Sequence, residues 1–461
     1  MDISKLLNPV PNKKSRFDED TLVCDRYWLP AELIARILMF LPHPSRPPLR
    51  FVSKKWYDAY DLFIRNREFS DASHVGSRRV TRRQVLDAFV KYGHRLRWMD
   101  VRTSTLREIL DIEPNFASLI PNAIRLYVTV DDGLSSQRWI GDIATKLHNL
   151  KGIFIKEYGF TADEHIGDEL DKAVATMPRL EIMNIDDISL DFTAFPGPNM
   201  KERASQISRL VVPVANIAAG AVASTFRMFK SIKWLGLSGI SGVDVLKEIT
   251  ELVLDEKSFP AMNRLEVIGD FDISHASPIV NEEDGTMTTA MDLYLKICGI
   301  RRPQLELILG FILGACSKSN LALIEKEREF VINLGKAGGD ILVALQLTHY
   351  TPVGDYDPLT TLLFNSALRF PRLLFLILHV SPSAATGLRI IEAFNNPFLL
   401  PHLVQANFFV DGMQSPEWIN GFNPIDPSRG FDFNIYEKQH EDETRMVNET
   451  SNGVLPSHFL S

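Results

Sequence analysis

A short pattern of hydrophobic positions recurs along most of the chain, in the form apolar-x-x-apolar-x-apolar. It begins with Leu96-Arg-Trp-Met99-Asp-Val101 and returns at intervals of roughly 25 to 33 residues, a period typical of repeat architectures. The alternation places the apolar side chains on one side of a short strand. It predicts strands near residues 98–102, 152–156, 182–186, 209–213, 234–238, 344–348, 375–379 and 405–409, with looser matches at Ile124–Val130 and from Leu265.

Amphipathic segments separate these strands. Ala162–Met177 and Val243–Leu254 each carry apolar residues on one side and are long enough for a helix of several turns. Proline precedes several strands, as in Met177-Pro178 and Phe370-Pro371, where it ends a helix shortly before the strand begins. The pattern therefore predicts one strand and one helix per repeat, with the strands side by side in one parallel sheet.

The repeat loses its register between Ile273 and Ile341. Met287–Ile297 and Pro303–Cys316 are predicted as helices, and Leu321–Leu334 as a further strand or helix. We interpret this stretch as one or two degenerate repeats with an insertion.

An ordinary α/β domain with a doubly wound sheet also alternates strands with helices. The sequence favours a solenoid, because it has no Gly-rich turn between a strand and a helix and because the strand pattern keeps one short period. Polar composition near both ends completes the predicted organisation: a flexible segment at 1–26, a helical module at 27–66, a linker with a capping helix at 67–94, the repeat domain at 95–423 and a flexible tail at 424–461.

The helical module has the sharpest local pattern. Leu33, Ile34, Ile37, Leu38 and Leu41 recur every three or four residues and so share one helix face. Pro30 suits the first turn of this helix, and Pro42 with Pro44 ends it. A second helical stripe is predicted within Pro47–Tyr60, formed by Leu49, Val52, Trp56 and Tyr57. Such a short module cannot bury all of its large apolar groups, so part of its surface must meet another one.

These residues resemble the F-box, the helical module by which substrate receptors of cullin-based ubiquitin ligases dock on their Skp adaptor. The matching spacing runs from Leu29-Pro30 through Ile37-Leu38 to Val52 and Trp56. The chain departs from the family at residues 43–48, where prolines replace an acidic residue and leucines. The resemblance implies a Skp adaptor and, through it, a cullin as partners, and it implies adaptor contacts by Leu29, Pro30, Glu32, Leu33, Ile37, Leu38, Leu41, Leu49, Val52 and Trp56.

The repeats resemble the irregular leucine-rich repeats that follow the F-box in many such receptors. This resemblance implies an α/β solenoid with a parallel sheet on its concave face and helices on its convex face, and a protein substrate bound by the repeats. Residues between and just after the apolar strand positions are expected to be exposed on the concave face, which has little arginine. The expected substrate-binding residues are Phe154, Lys156, Asn184, Asp186, Ser238, Gln346, Tyr350, His379, Asn407 and Phe409.

Composition and charge restrict the function further. Three cysteines cannot form a disulfide framework or a four-ligand zinc site, and the sequence has neither a secretory signal nor an uninterrupted apolar span. We therefore expect a protein of the cytoplasm or nucleus that binds no membrane. The net charge is −8, although residues 1–110 hold 21 Lys+Arg against 13 Asp+Glu. An acidic body disfavours nucleic-acid binding beyond the basic N-terminal part.

The sequence offers no catalytic constellation. The 11 histidines show no zinc-ligand spacing, and Gly335-Lys-Ala-Gly-Gly-Asp340 lacks the Ser or Thr of a phosphate-binding loop. We therefore expect no cofactor, no metal and no enzymatic activity. Two functions stay open: a substrate receptor of a ubiquitin ligase, or a repeat scaffold that uses its F-box-like module outside ubiquitin transfer.

Overall fold

The computed structural model describes most of the repeat region and a short part of the N-terminal module. The described residues are 34, 52–60, 68–70, 86–87, 89–90, 93–130, 147, 149–157, 166–186, 196–215, 217, 220–280, 285–302, 304–314, 321–349, 370–380, 400, 402–411, 432–440 and 443–446. Contacts divide the chain into two compact units, one of Met1–Arg65 with Leu460–Ser461 and one of Asn66–Phe459.

In the first unit, helix α1 spans Lys54–Ala59. Ser53 precedes it with an extended backbone, and its hydroxyl accepts a hydrogen bond from the Trp56 amide at 3.3 Å. Serine is a preferred N-cap because its side chain satisfies one of the free amides of the first turn. The prediction of a single helical stripe that includes Val52 is therefore wrong, since Val52 lies before the start of this helix.

The second unit is built on one sheet of 14 strands in chain order. Every neighbouring pair is parallel except the last, which is antiparallel. The strands are β1 Glu68–Ser70, β2 Trp98–Arg102, β3 Arg125–Val130, β4 Gly152–Glu157, β5 Ile182–Asp186, β6 Arg209–Pro213, β7 Trp234–Ile240, β8 Arg264–Asp272, β11 Glu306–Leu313, β12 Leu342–His349, β13 Phe375–Val380, β14 Gln405–Asp411, β15 Asp432–His440 and β16 Glu443–Met446. All eight strands predicted from the repeat pattern lie in this sheet, which confirms the predicted α/β fold.

The helices pack on one face of this sheet. They are α2 Thr103–Ile112, α3 Phe116–Leu119, α4 Ile166–Thr176, α5 Pro198–Arg203, α6 Val222–Phe226, α7 Val243–Leu254, α8 Ala290–Cys298 and α9 Leu321–Gly338. Successive helices contact one another, as α6 with α7, α7 with α8, and α8 with α9. The core lies between helices and sheet, where Leu210, Leu235 and Leu265 stand side by side on adjacent strands and are fully buried with Leu246 and Ile249 of α7.

The same turn precedes nearly every described strand of the sheet. The amide of the residue one or two positions before the strand start donates to the carbonyl three residues earlier, as from Leu180 to Met177 at 3.2 Å and from Leu373 to Phe370 at 3.2 Å. Pro178 and Pro371 stand at the second position of these turns, which proline favours because its ring fixes φ. The prolines noted in the sequence are therefore part of the turn itself.

Two short helices are capped by carboxylates of neighbouring helices. Asp171 in α4 accepts hydrogen bonds from the Met200 amide at 2.7 Å and the Asn199 amide at 3.3 Å, at the start of α5. Glu248 in α7 accepts from the amides of Gly220, Val222 and Ala223 at the start of α6. These contacts join adjacent repeats through the amides that a helix start leaves free.

The region of lost register holds one repeat and an insertion. Residues 306–313 form β11 between β8 and β12, so the predicted helix at Pro303–Cys316 is wrong there. A small antiparallel pair, β9 Ile279–Val280 and β10 Met287–Thr288, is the insertion. The helix predicted at Met287–Ile297 begins only at Ala290, because Met287–Thr288 are strand β10, and Leu321–Leu334 is helical within α9.

The sheet also extends past the boundaries expected at 95 and 423. Strand β1 pairs with β2, and β15 pairs with β14, so the sheet reaches from Glu68 to Met446. Hydropathy did not indicate β15, because its sequence, DFNIYEKQH, is mostly polar. Parts of the expected flexible tail are therefore strands.

Candidate functional site

The sheet face opposite the helices, called the open face below, carries two rows of side chains. Strand register aligns the first row across β2 to β11: Trp98, Arg125, Gly152, Ile182, Arg209, Trp234, Arg264 and Glu306. The second row lies two residues further along each strand and runs Asp100, Tyr127, Phe154, Asn184, Val211, Gly236 and Glu266.

Aromatic rings and guanidinium groups alternate along this face. The Arg209 guanidinium lies 3.5 Å from the ring centroid of Trp234 and 5.5 Å from that of Phe154. Arg264 covers the Trp234 ring at 4.2 Å. The rings of Tyr127 and Phe154 stack at 4.1 Å between centroids. Cation–π contacts of this kind are stronger where water is excluded, so they fix the arginines against the rings.

Arg125 extends the arrangement to the N-terminal strands, with its guanidinium 5.0 Å from the centroid of Trp98. At the other end, Glu306 pairs with the Nε of Arg264 at 3.1 Å and lies 3.9 Å from Arg372. The open face thus carries arginines on β3, β6 and β8 and carboxylates on β2, β8 and β11.

Burial changes the acid–base properties of this face. Desolvation lowers the pKa of Arg209 to about 9, although the nearby Tyr127 and Glu266 favour its charged form. Desolvation likewise lowers the pKa of Arg264, against the attraction of Glu306 and Glu266. The pKa of Tyr127 is raised by burial, while Arg125 acts in the opposite direction.

Several residues expected to be exposed for substrate are instead buried. Phe154, Asn184 and Ser238 are exposed by only 4%, 4% and 7%, so the expectation of exposure is wrong for them. Parallel strands lie about 4.8 Å apart, so large neighbours on one face cover each other. Gln346 is half-buried. Five further expected residues lie in strands, but the structure describes only their backbone: Lys156, Asp186, His379, Asn407 and Phe409. Tyr350 lies outside the described residues.

The sequence analysis missed the arginines and tryptophans of the first row. It placed little arginine on this face, whereas Arg125, Arg209 and Arg264 stand there in register with Trp98 and Trp234. The available signal was the repeated Arg or Trp at the first strand position, directly before the apolar residue that enters the core. The expected site residues lie at later strand positions than this signal.

The N-terminal unit offers apolar surface. Val52 is 51% exposed and Tyr57 42%, and Trp56 is half-buried. The remaining expected adaptor residues lie outside the described part of the chain: Leu29, Pro30, Glu32, Leu33, Ile37, Leu38, Leu41 and Leu49. The adaptor contacts therefore stay predictions.

Comparison with known proteins bears directly on this unit. Residues 27–61 match the family model of the F-box domain. The α1 helix and its Ser53 cap belong to the C-terminal half of this F-box domain. No curated protein matches the chain in sequence. A chain in the crystal structure of the Rad7 and Elc1 complex in yeast is similar in structure, with a TM-score of 0.39 and 12% identity over 82% of this chain and 88% of that one.

Other kinds of site were searched for among the described residues. They contain no group of three or more His, Cys, Asp or Glu side chains placed to hold a metal ion. No helix in the described part of the chain is long and apolar enough to cross a membrane. Cys298 is buried in α8, where desolvation raises the pKa of its thiol to about 12 and so disfavours the nucleophilic thiolate at neutral pH.

Proposed function

We propose that this protein is the substrate-recognition subunit of an SCF-type ubiquitin ligase. Its F-box domain docks on a Skp adaptor, which connects it to a cullin, and its repeat domain binds a protein substrate. The observation that carries the proposal is the F-box domain at residues 27–61, joined in one chain to a large parallel-sheet repeat unit. The site of action is the cytoplasm, the nucleus or both.

In this proposal the chain positions the substrate, and its partners catalyse the transfer of ubiquitin. A substrate held on the repeat unit is brought close to the ubiquitin-charged enzyme bound elsewhere in the assembly. Tethering of this kind raises the effective concentration of substrate lysines at the transfer site. No catalytic residue of this chain is needed for that step.

The decisive variant changes the predicted adaptor anchors. Leu29→Ala combined with Pro30→Ala is expected to abolish co-purification with a Skp adaptor, since truncating one buried apolar anchor costs about 2 kcal/mol or more of binding free energy. The matched control is Leu254→Ala, which shortens an exposed leucine of α7 in the repeat unit. Thermal unfolding of both variants checks that the repeat unit stays folded. Undiminished adaptor binding by the double variant would contradict the proposal.

One sequence feature favours a second candidate function. Residues 43–48, His-Pro-Ser-Arg-Pro-Pro, depart from the family pattern in the middle of the F-box domain. A repeat scaffold that uses the F-box domain outside ubiquitin transfer would bind its adaptor without a cullin. Quantitative purification scored for both adaptor and cullin separates the two functions, because only the substrate receptor recovers them together.

A further inference from the structure

A cavity of about 560 Å³, called the insertion cavity below, lies between the start of α7 and the segment that follows β8. Ser241 and Asp244 line it from α7, and Phe271, Asp272 and His275 line it from the end of β8 and just beyond. Ligand pockets in proteins have volumes of roughly 300–1,000 Å³. Asp244 and His275 are exposed, so a ligand can reach this cavity from solvent.

The insertion cavity lies where the chain departs from its repeat pattern. Residues 273–289 separate β8 from α8, whereas only Ser241 and Gly242 separate β7 from α7. The strands within this segment, β9 and β10, pair with each other outside the 14-strand sheet. Insertions in repeat proteins map to loops on one side of the array, which is often the binding side. The segment thus adds a cavity wall without adding to the main sheet.

Asp272 and His275 hold fixed positions in the insertion cavity. The Asp272 carboxylate accepts a hydrogen bond from the Ser274 amide at 2.8 Å and lies 2.6 Å from Nδ1 of His275. Gly314 permits this arrangement, because a Cβ there would collide with both side chains. The contact with a carboxylate places the imidazole proton on Nδ1, which leaves Nε2 as the hydrogen-bond acceptor of the neutral ring.

The base of the segment is anchored to the next repeat. The Ser274 hydroxyl donates to the buried Glu327 carboxylate of α9 and accepts from the Gly314 amide at 3.3 Å. The Ile273 amide donates to the Ile312 carbonyl of β11 at 3.0 Å. These bonds fix one wall of the insertion cavity before any ligand binds. Such preorganisation lowers the entropic cost of binding.

The charges of the insertion cavity favour a cation. Its titratable lining residues are Asp244, Asp272 and His275, and no Lys or Arg is among the described residues that line it. Asp244 alone is explained by the preference for carboxylates in the first turn of a helix. Asp272 is not at a helix start, and its oxygens keep acceptor capacity after the bonds to Ser274 and His275. The Phe271 ring also favours a cation over its face.

Exposed apolar side chains belong to the same segment. Val280 and Met287 are 54% and 64% exposed and stand opposite each other in the β9–β10 pair. The sequence between these strands, Asn-Glu-Glu-Asp at 281–284, holds three further carboxylates and no basic residue. Apolar side chains next to acidic ones are complementary to a partner segment that has both apolar and basic residues.

We propose that the insertion cavity binds a Lys or Arg side chain of the protein substrate. The ammonium or guanidinium group donates hydrogen bonds to the carboxylates of Asp244 and Asp272 and to Nε2 of His275. Apolar residues beside it in the substrate contact Val280 and Met287. This inference rests on the proposed function and names the chemical class of the substrate, a segment that combines a basic residue with apolar neighbours.

The test uses the full-length protein and fluorescently labelled peptides of one Gly/Ser-rich design with both termini blocked. Arg, Lys, Gln or Glu stands at the centre between two leucines. Fluorescence anisotropy at about 0.15 M salt, where attraction between distant exposed charges is screened, measures binding to the wild type and three variants. Asp272→Asn and Asp244→Asn each remove one charge from the cavity and keep the side-chain size. Glu251→Gln is the matched control, because it removes an exposed carboxylate at the other end of α7.

Saturable binding of the Arg or Lys peptide is expected. Asp272→Asn and Asp244→Asn should each weaken it about tenfold, because hydrogen bonds between ionised groups are the strong ones, and Glu251→Gln should leave it unchanged. If urea unfolding shows that Asp272→Asn does not fold, Asp244→Asn decides the result. Equal binding of the Gln or Glu peptide, equal weakening by Glu251→Gln, or no effect of the cavity variants would overturn the proposal.

Two outcomes separate this inference from the proposed function. No binding of the Arg or Lys peptide by protein that still binds a Skp adaptor would overturn the inference and leave the proposed function standing. Binding of these peptides by protein that binds no Skp adaptor would support the insertion cavity as a site for basic segments and overturn the proposed function.

Discussion

Arg209 has unusual surroundings for a charged side chain. It is 6% exposed, lies against two aromatic rings, and has a pKa lowered to about 9 by burial. Its position on a strand was predictable from the sequence, since Leu210 after it follows the repeat pattern. Its burial was not, because that depends on Trp234 and Phe154 from other strands, whose sizes matter only once the register is known.

Cys298 gives a pH dependence whose sign can be worked out. Burial raises the pKa of its thiol from 9.0 to about 12, so the unfolded chain releases this proton at lower pH than the folded chain does. The thiol therefore contributes stability below about pH 9, and that contribution is lost as the pH rises toward 12. Urea unfolding at a series of pH values from about 9 to 12 measures this effect. As the pH rises, the free energy of unfolding is expected to fall less steeply for Cys298→Ala than for the wild type.

The comparison between the two proteins isolates the thiol. Arg209 acts in the opposite direction in the same pH range, because burial lowers its pKa on folding. Burial raises the pKa of Tyr294, as it raises that of Cys298. Both groups are common to wild type and variant. Parallel stability curves for the two proteins would contradict the assignment of this part of the slope to Cys298.

Leu235 and Ser238 test the two faces of one strand. Leu235 is fully buried in the core between β6 and β8, so Leu235→Asp is expected to unfold the repeat unit, since an unpaired charge there costs several kcal/mol, of order 3 or more. Ser238→Ala removes a hydroxyl that has no partner in the described structure, and its stability is expected to stay within about 1 kcal/mol of the wild type. Circular dichroism with urea unfolding measures both. A folded Leu235→Asp would contradict the observed core.

At the scale of elements, the carboxylate caps connect neighbouring repeats. Asp171 accepts from two amides of α5 and from the Asn199 side chain at 2.9 Å, and Gly197 before this helix leaves room for the carboxylate, because a Cβ there would lie 2.2 Å from its carbon. The helix that receives the cap has only six residues. Its start therefore depends on a residue from the preceding helix.

Asp171→Ala is expected to lower the free energy of unfolding by about 1–2 kcal/mol, the usual cost of losing an N-cap, with added cost for amides left unsatisfied. The matched control is Glu181→Ala, which removes an exposed partner of Lys151 and is expected to cost under about 1 kcal/mol. Urea unfolding of both variants measures the difference. Equal losses would show that the Asp171 contacts add nothing beyond an exposed ion pair.

Strands were more predictable than helices at this scale. The repeat pattern marks each strand because apolar residues alternate toward one buried face, and eight strands follow it. Residues 306–313, ELILGFIL, are apolar nearly throughout, and such a run fits a helix or a strand equally well. Only the pairing of β11 with β8 and β12 distinguishes the two, and pairing between segments some 40 residues apart is not encoded in a local pattern.

At the scale of the whole molecule, the F-box domain and the open face belong to different compact units. Substitutions in one are therefore expected to leave binding by the other unchanged. Trp234→Phe should keep full adaptor binding, and Leu29→Ala with Pro30→Ala should leave the urea unfolding of the repeat unit unchanged. Adaptor co-purification and urea unfolding of the same protein preparations measure both. Loss of adaptor binding in Trp234→Phe, or a changed unfolding of the repeat unit in the double variant, would show that the two units are coupled.

The reversed direction of β16 has a consequence for assembly. Each strand from β1 to β15 runs parallel to the next, and a parallel strand left at the end of such a sheet would offer an edge on which a further parallel strand can add. Strand β16 has four residues and runs antiparallel to β15, so a further repeat cannot continue from it in the same orientation. The described sheet thus ends on a short strand of reversed direction, a feature that limits edge-to-edge association in natural sheets.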